Sequence, residues 1–325
     1  MNSLRSNYPN QNEQVVPGCD ILAAKLMTAL ATMVSRLIFQ AGEPMRVQFK
    51  SLSRLTRIGL AVALCLPTCI CFGADRGPLE QDFQFSIGGF FVSTDTELRL
   101  DGQGGRTGTD VDWEHDLNFE DKDRFRVDAF WRFAANHKLR FMYFENNRAS
   151  SRQLSRQINF GDYTFPVNAQ VDAELNTQII ELAYEYAFLK RDTVELSGSF
   201  GIHNINIAAA LSGNATAGNS TASAQVDEKG SLNGPLPVLG LHVLWKMGGQ
   251  FYLDGLAQFF YVQANKIDGR ISDYKLGVTW YPLDHVGFGL GYNEFITTVN
   301  VDKDSFNGRL RMSYGGALAY LTAGF

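Results

Sequence analysis

The sequence predicts an all-β fold, a closed antiparallel up-and-down barrel of about ten strands, with eight or twelve as the neighbouring solutions. Three observations carry this. Apolar residues recur with period two from Gln81 to the end, short and long connections alternate strictly, and the strand segments are long enough to cross a bilayer. The alternation is clearest in four windows. Phe83, Phe85, Ile87 and Phe91 alternate with Gln84, Ser86 and Gly88, and Phe125, Val127, Ala129, Trp131 and Phe133 alternate with Arg124, Arg126, Asp128 and Arg132. Ile180, Leu182, Tyr184, Tyr186 and Phe188 alternate with Glu181, Ala183 and Glu185, and Tyr274, Leu276, Val278 and Trp280 with Asp273, Lys275 and Thr279. Helical spacing fits none of these windows.

Short connections are expected at Ala134–His137, Leu189–Asp192, Lys246–Gly249 and Pro282–His285. Long ones are expected at 101–123, 153–172 and 212–234, with shorter polar links near 265–269 and 302–307. Four short turns and five longer loops make ten strands with both termini at the short-turn end. Segments such as Asp192–Leu211 and Gln250–Ala264 exceed the roughly 5–6 residues of an average strand and reach the roughly 9–11 a tilted membrane strand needs. Trp131, Trp245 and Trp280 each fall a few residues before a short turn in the apolar phase, as an interfacial aromatic girdle requires.

The first 73 residues read as targeting sequence. Arg46, Lys50, Arg54 and Arg57 precede an apolar run from Ile58 to Phe72 that ends at Gly73 and Ala74, which is the layout of a secretory signal peptide over 45–73. Residues 1–44 read as an over-extended or disordered leader, and 74–325 as the barrel domain. All four cysteines (Cys19, Cys65, Cys69 and Cys71) precede the expected cleavage point, so disulfides and thiolate metal sites are not expected in the barrel. The whole chain carries 29 Lys and Arg against 34 Asp and Glu. That acidic balance argues against nucleic acid as a partner, since phosphates must be met by cations.

The chain ends Tyr320-Leu-Thr-Ala-Gly-Phe325. In this terminal aromatic, together with the signal peptide and the alternation over 81–325, it resembles bacterial outer-membrane β-barrel proteins as a broad class. The resemblance implies a transmembrane barrel in the outer membrane of a Gram-negative cell. It also implies outer-membrane lipid and lipopolysaccharide as surroundings, and the barrel-assembly machinery as the partner that reads Phe325. Leu310, Met312 and Tyr314 are out of phase with Phe325, so a bulge or a slip at Gly315-Gly316 is expected in the last strand. A soluble β-sandwich or a barrel with an apolar core would show the same alternation; the turn asymmetry and Phe325 select the membrane barrel.

With apolar residues facing lipid, the lumen holds Arg124, Arg126, Asp128, Arg132, Arg140, Glu181, Glu185, Glu195, Asp254, Asp273 and Lys275. In so narrow a barrel these charges are expected to pair into a rigid plug; a narrow porin-like channel for small solutes is the alternative. A membrane-embedded hydrolase would draw on the acidic run Asp110-Val-Asp112-Trp-Glu114-His115-Asp116, but no catalytic residue is assigned. His203 and His242 are in the lumen phase and read as hydrogen-bonded structural groups. The histidines have no chelating spacing, so neither a metal nor a cofactor is expected. The 153–172 connection, with Ile158, Phe160, Tyr163, Phe165 and Val167, is expected to form a hairpin packed on neighbouring loops. The Gly-, Ala-, Ser-, Asn- and Thr-rich 212–234 stretch is expected to be a mobile surface loop. The function expected is a structural or surface-interaction role carried by the loops.

Overall fold

The computed structural model describes residues 77–325 apart from 122, 218–222, 265–266 and 304–305. The expectations for 1–44 and 45–73 lie outside the described residues. Thirteen strands follow in chain order: β1 Phe83–Leu100, β2 Val111–Asp112, β3 Arg124–Ala134, β4 His137–Gln153, β5 Ile158–Phe160, β6 Tyr163–Phe165, β7 Gln170–Arg191, β8 Val194–Ala217, β9 Ser223–Gly248, β10 Phe251–Ala264, β11 Ile267–Leu283, β12 Val286–Lys303 and β13 Phe306–Gly324. Ten of them close a ring in the order β1, β3, β4, β7, β8, β9, β10, β11, β12, β13 and back to β1, every pair antiparallel. The barrel is therefore ten-stranded, as the turn count implied.

All four short connections are two-residue turns, at 135–136, 192–193, 249–250 and 284–285. Beside each the ladder shifts register, at Arg132/Ala134, Ala187/Leu189, Phe251/Tyr252 and Trp280/Leu283. These irregularities take up residues that the bare alternation assigned to the turns, which explains why the expected boundaries fall up to three residues early. The seam closes at the C-terminus: the Phe83 N–H donates to the Phe325 carbonyl at 3.0 Å, and the Phe325 N–H donates back to the Phe83 carbonyl at 2.8 Å.

The last strand has no slip. β1 and β13 pair without interruption from Gln84↔Gly324 to Leu100↔Gly308. Leu310, Met312 and Tyr314 face inward and are buried, while Leu321 and Phe325 face outward. The expectation failed because it assumed one inside–outside polarity along the whole strand, and the polarity reverses instead. On β8 the inward residues run Glu195, Ser197, Ser199 and His203, then Ile205, Ile207, Ala209 and Leu211; the outward ones run Phe200 and Ile202, then Asn204, Asn206 and Ser212. On β7 the outward row changes from Phe188, Tyr186, Tyr184 and Leu182 to Gln178, Asn176, Glu174 and Asp172, while inward Glu185 and Glu181 give way to Ile179, Leu175 and Val171. Toward the turns the barrel is apolar outside and charged inside. Toward the loops it is polar outside and encloses an apolar core. A strand presents two different solvents with opposite demands, and period two survives both.

The loop end is built from long extensions. The 212–234 stretch is not a loop: β8 and β9 continue through it as a ribbon paired from Thr216↔Ser223 down, and only 218–222 separate them. β10 joins β9 only from Leu239 to Gly248, so the upper part of β9 has a free edge on that side. Pro235 and Pro237 sit there as successive outward residues, where a missing N–H costs no ladder bond. A comparable gap opens between β1 and β4, because β3 spans only 11 residues. The 101–123 connection fills it: β2 pairs with β1, and α1 (Trp113–Asp116) follows. Glu114 accepts the Thr96 N–H at 2.7 Å, Asp121 accepts the Thr94 N–H at 2.9 Å, and the Ser150 hydroxyl donates to the Leu117 carbonyl at 2.6 Å.

The β5–β6 hairpin forms over the expected connection and lies against the end of β8. Ile158, Phe160 and Phe165 are fully buried, and Phe160 meets Trp113 edge-on at 6.3 Å.

The reversal is testable by single-cysteine labelling, since no cysteine lies between residues 77 and 325. Glu174→Cys and Asn206→Cys should react with a water-soluble maleimide in the folded, membrane-inserted protein. Leu182→Cys and Phe200→Cys should not. Equal labelling at all four positions would contradict the assigned boundary.

Candidate functional site

The inner face near the turns carries the ionised groups, and the structure brings most of the expected ones together. Arg126 pairs with Asp128 at 2.9 Å and donates to Asn293 at 2.6 Å. Arg132 pairs with Glu195 at 2.7 Å. Arg140 bridges Glu181 at 2.7 Å and Glu185 at 2.8 Å. Lys275 lies 3.5 Å from Asp254 and 3.8 Å from Asp128. Asp273 accepts a bond from Asn293 at 2.6 Å. Arg124 stands apart from this layer. Its guanidinium reaches Asn146 and the Asn147 carbonyl, so it tethers β3 to β4 and meets no lumen carboxylate.

Three contributors were not among the expected charges. Lys138 lies 2.7 Å from Glu195 and 3.1 Å from Glu185, and it joins two carboxylates that would otherwise repel. It sits beside the turn, where the alternation of β4 starts with no apolar flank to set its phase. His242 links Glu185 at 2.9 Å to Asp254 at 3.3 Å. Gln258 donates to Glu181 at 2.8 Å. Removing one partner of such a pair leaves a buried, uncompensated charge, which costs about 3–5 kcal/mol.

Above this layer the lumen changes character. Phe90, Phe144, Tyr314 and Phe295 make a continuous ring stack, with centroids 5.5 Å apart for Phe90–Phe144 and 4.8 Å for both Phe144–Tyr314 and Phe295–Tyr314. His203 stacks on Phe295 at 5.8 Å and so marks the boundary between ions and hydrocarbon. Beyond lie Met142, Ile179, Ile205, Leu310 and Met312, all buried, capped by Trp113, Leu117, Phe119 and the β5–β6 hairpin.

The turn end is covered as well. The chain enters along Gly77–Gln81, where Leu79 packs on Leu244, Tyr252 and Tyr281, and Arg132 donates to the Gln81 carbonyl at 3.3 Å. Between the two covers, a cavity of about 40 Å³ remains among Arg126, Asp128, Arg140, His242, Asp254 and Lys275. That is room for one or a few waters.

The acidic run of the first loop is used structurally. The Asp112 carboxylate caps α1 by accepting the His115 N–H at 2.8 Å, Glu114 pairs with Arg148 at 2.5 Å, Asp116 pairs with Arg156, and Asp110 pairs with Arg309 at 2.9 Å. Two of these acids move in opposite directions. Burial dominates at Glu114 and raises its pKa in spite of Arg148. At Asp116 burial is outweighed by the Arg156 hydrogen bonds and the Asp112 N–H, so its pKa is lowered.

Trp131, Trp245 and Trp280 all face outward near the turns, at 39%, 47% and 44% exposure, so each presents its ring to the surroundings. Other rings continue the belt. Trp131 meets Phe133 at 5.6 Å, Trp280 lies between Phe251 and Phe288 at 6.4 Å from each, and Phe325 stacks on His285 at 5.5 Å.

No protein-family model matches the sequence, and no curated protein matches it significantly. Solved structures do resemble it, and they are small bacterial outer-membrane β-barrel proteins. The outer membrane protease OmpT from Escherichia coli is 15% identical, with 75% of this chain and 96% of that one covered and a TM-score of 0.45. The Pseudomonas putida toluene transporter TodX is 8% identical over 74% and 88%, with a TM-score of 0.30. The Yersinia pestis attachment invasion locus protein Ail, solved with the heparin analogue sucrose octasulfate, is 9% identical over 73% and 97%, with a TM-score of 0.28.

Two outcomes follow from the charge layer and the lid. Glu185→Ala, which strands Lys138, Arg140 and His242, should destabilise the barrel by about 3–5 kcal/mol. The joint replacement Lys138→Met with Glu195→Gln should cost less than either change alone. Urea titration of the unboiled gel species in micelles reads both. The lowered Asp116 pKa means that its pair with Arg156 contributes fully above the unfolded-state value and is lost as pH falls through the folded one. Proteolysis within 101–123 should therefore rise on acidification, and Arg156→Ala should raise it already at neutral pH and flatten that dependence.

Proposed function

We propose that the protein is an outer-membrane β-barrel with a closed lumen, whose role is structural or surface-interacting and is carried by its loop-end extension. The observation that carries this reading is the filling of the lumen. An ion-paired layer, an aromatic stack and an apolar core follow one another along the axis, and each end has its own cover. A porin-like path needs a continuous wet passage, and the cavity of about 40 Å³ falls far short of one.

The outward apolar band, from Leu182, Phe200 and Leu241 to Leu276 and Leu290, suits acyl chains, and the belt of rings at its edge suits the headgroup level. In this reading the two-residue turns face the periplasm, and lipid and lipopolysaccharide surround the wall. The polar-surfaced upper half stands outside the cell as a rigid β-structure with its own core. The acids that a hydrolase would need at the rim are each engaged in ion pairs or in capping α1, which favours the non-enzymatic role.

Planar-bilayer recording of the refolded protein tests the closed lumen. No steady single-channel steps are expected, and reproducible unitary conductance would overturn it. Fractionation of the producing cell, with gel migration before and after boiling, tests the membrane assignment. The folded form should sit in the outer-membrane fraction and shift its mobility on boiling.

A further inference from the structure

Among the described residues the lumen layer holds five cations (Arg126, Arg132, Lys138, Arg140 and Lys275) and six carboxylates. Five of the acids have a Lys or Arg within 4 Å. Asp273 has none: one oxygen accepts from Asn293 and the other, fully buried, has no partner. Beside it stand His203, with neither ring nitrogen in a hydrogen bond, and Glu181, whose carboxylate lies 3.3 Å from the imidazole. One ligand atom from each of Glu181, His203 and Asp273 falls within 4.8 Å of the others, and all three side chains are buried. A surplus negative charge, an unpaired carboxylate oxygen and a free imidazole converging on one point in a dry interior make an arrangement that lacks a cation.

We infer that Glu181, His203 and Asp273 form a binding site for one divalent transition-metal ion, of the zinc class, at the boundary between the charge layer and the apolar core. One nitrogen and two carboxylate oxygens suit Zn²⁺ or its borderline neighbours. The remaining atoms of the ligands are already held. Arg140 and Gln258 bond Glu181, Asn293 fixes Asp273, and Phe295 supports the imidazole ring. The three ligands come from β7, β8 and β11, so the ion would tie together strands distant around the barrel wall. Both ends of the lumen are covered, so the ion enters while the strands assemble.

The test is to refold the full-length barrel in detergent with Zn²⁺ or with a chelator, dialyse both, and measure bound metal by mass spectrometry. About one Zn²⁺ per chain is expected after refolding with the ion, together with a higher urea midpoint than the chelator-refolded form. His203→Ala and Asp273→Asn should each retain at least tenfold less metal while still showing the boiling-dependent gel shift, and Co²⁺ in place of Zn²⁺ should give visible d–d bands in the wild type only. Wild-type protein that refolds without retaining stoichiometric metal would overturn the site and leave an imidazolium as the missing cation. So would equal retention by folded variants. The wild-type measurement decides even where a variant fails to fold.

Discussion

Eleven ionised side chains crowded between ten strands set the terms for the rest of the structure. A charge inside so narrow a ring is removed from water on every side, and it persists only where an opposite charge and hydrogen-bond donors meet it. Arg140 against Glu181 and Glu185, Lys138 against Glu185 and Glu195, and Arg132 against Glu195 meet that condition across β3, β4, β7 and β8. Because each cation reaches two neighbouring strands or more, the layer fixes register as well as charge. A one-residue slip of any strand would turn its ions toward lipid.

The same constraint explains the change of character along the axis. Charge is tolerable inside only where the outside is hydrocarbon and each strand must keep its polar residues away from it. Once the wall leaves the apolar band, water lies outside, and the hydrophobic effect draws apolar side chains to the middle. The aromatic stack from Phe90 to Phe295 marks where one regime gives way to the other. The upper half then behaves like a soluble barrel. It has its own core, its gap between β1 and β4 is filled by α1 and its flanks, and prolines stand on its free edge at β9. A lumen closed in this way directs interaction to the outer surface and the loops.

What was legible in the sequence was everything that follows from local pattern: the all-β class, ten strands, two-residue turns at one end, a girdle of Trp131, Trp245 and Trp280, and lumen-facing acids and bases. Alternation reports which residues share a face, and turn chemistry reports where the chain reverses. Neither reports which face is inside once the surroundings change. Leu310, Met312 and Tyr314 therefore looked out of phase, and Ser212 to Gly234 looked like a loop, since small polar residues facing water on an extended ribbon have the composition of a linker. Tertiary structure alone decided the partners. Lys138 joins Glu195, His242 joins Glu185 to Asp254, and Glu181, His203 and Asp273 converge from segments up to 92 positions apart (Glu181 to Asp273). Ring closure makes neighbours of strands that no sequence spacing relates, and that is the physical reason the pairing was beyond the reach of pattern.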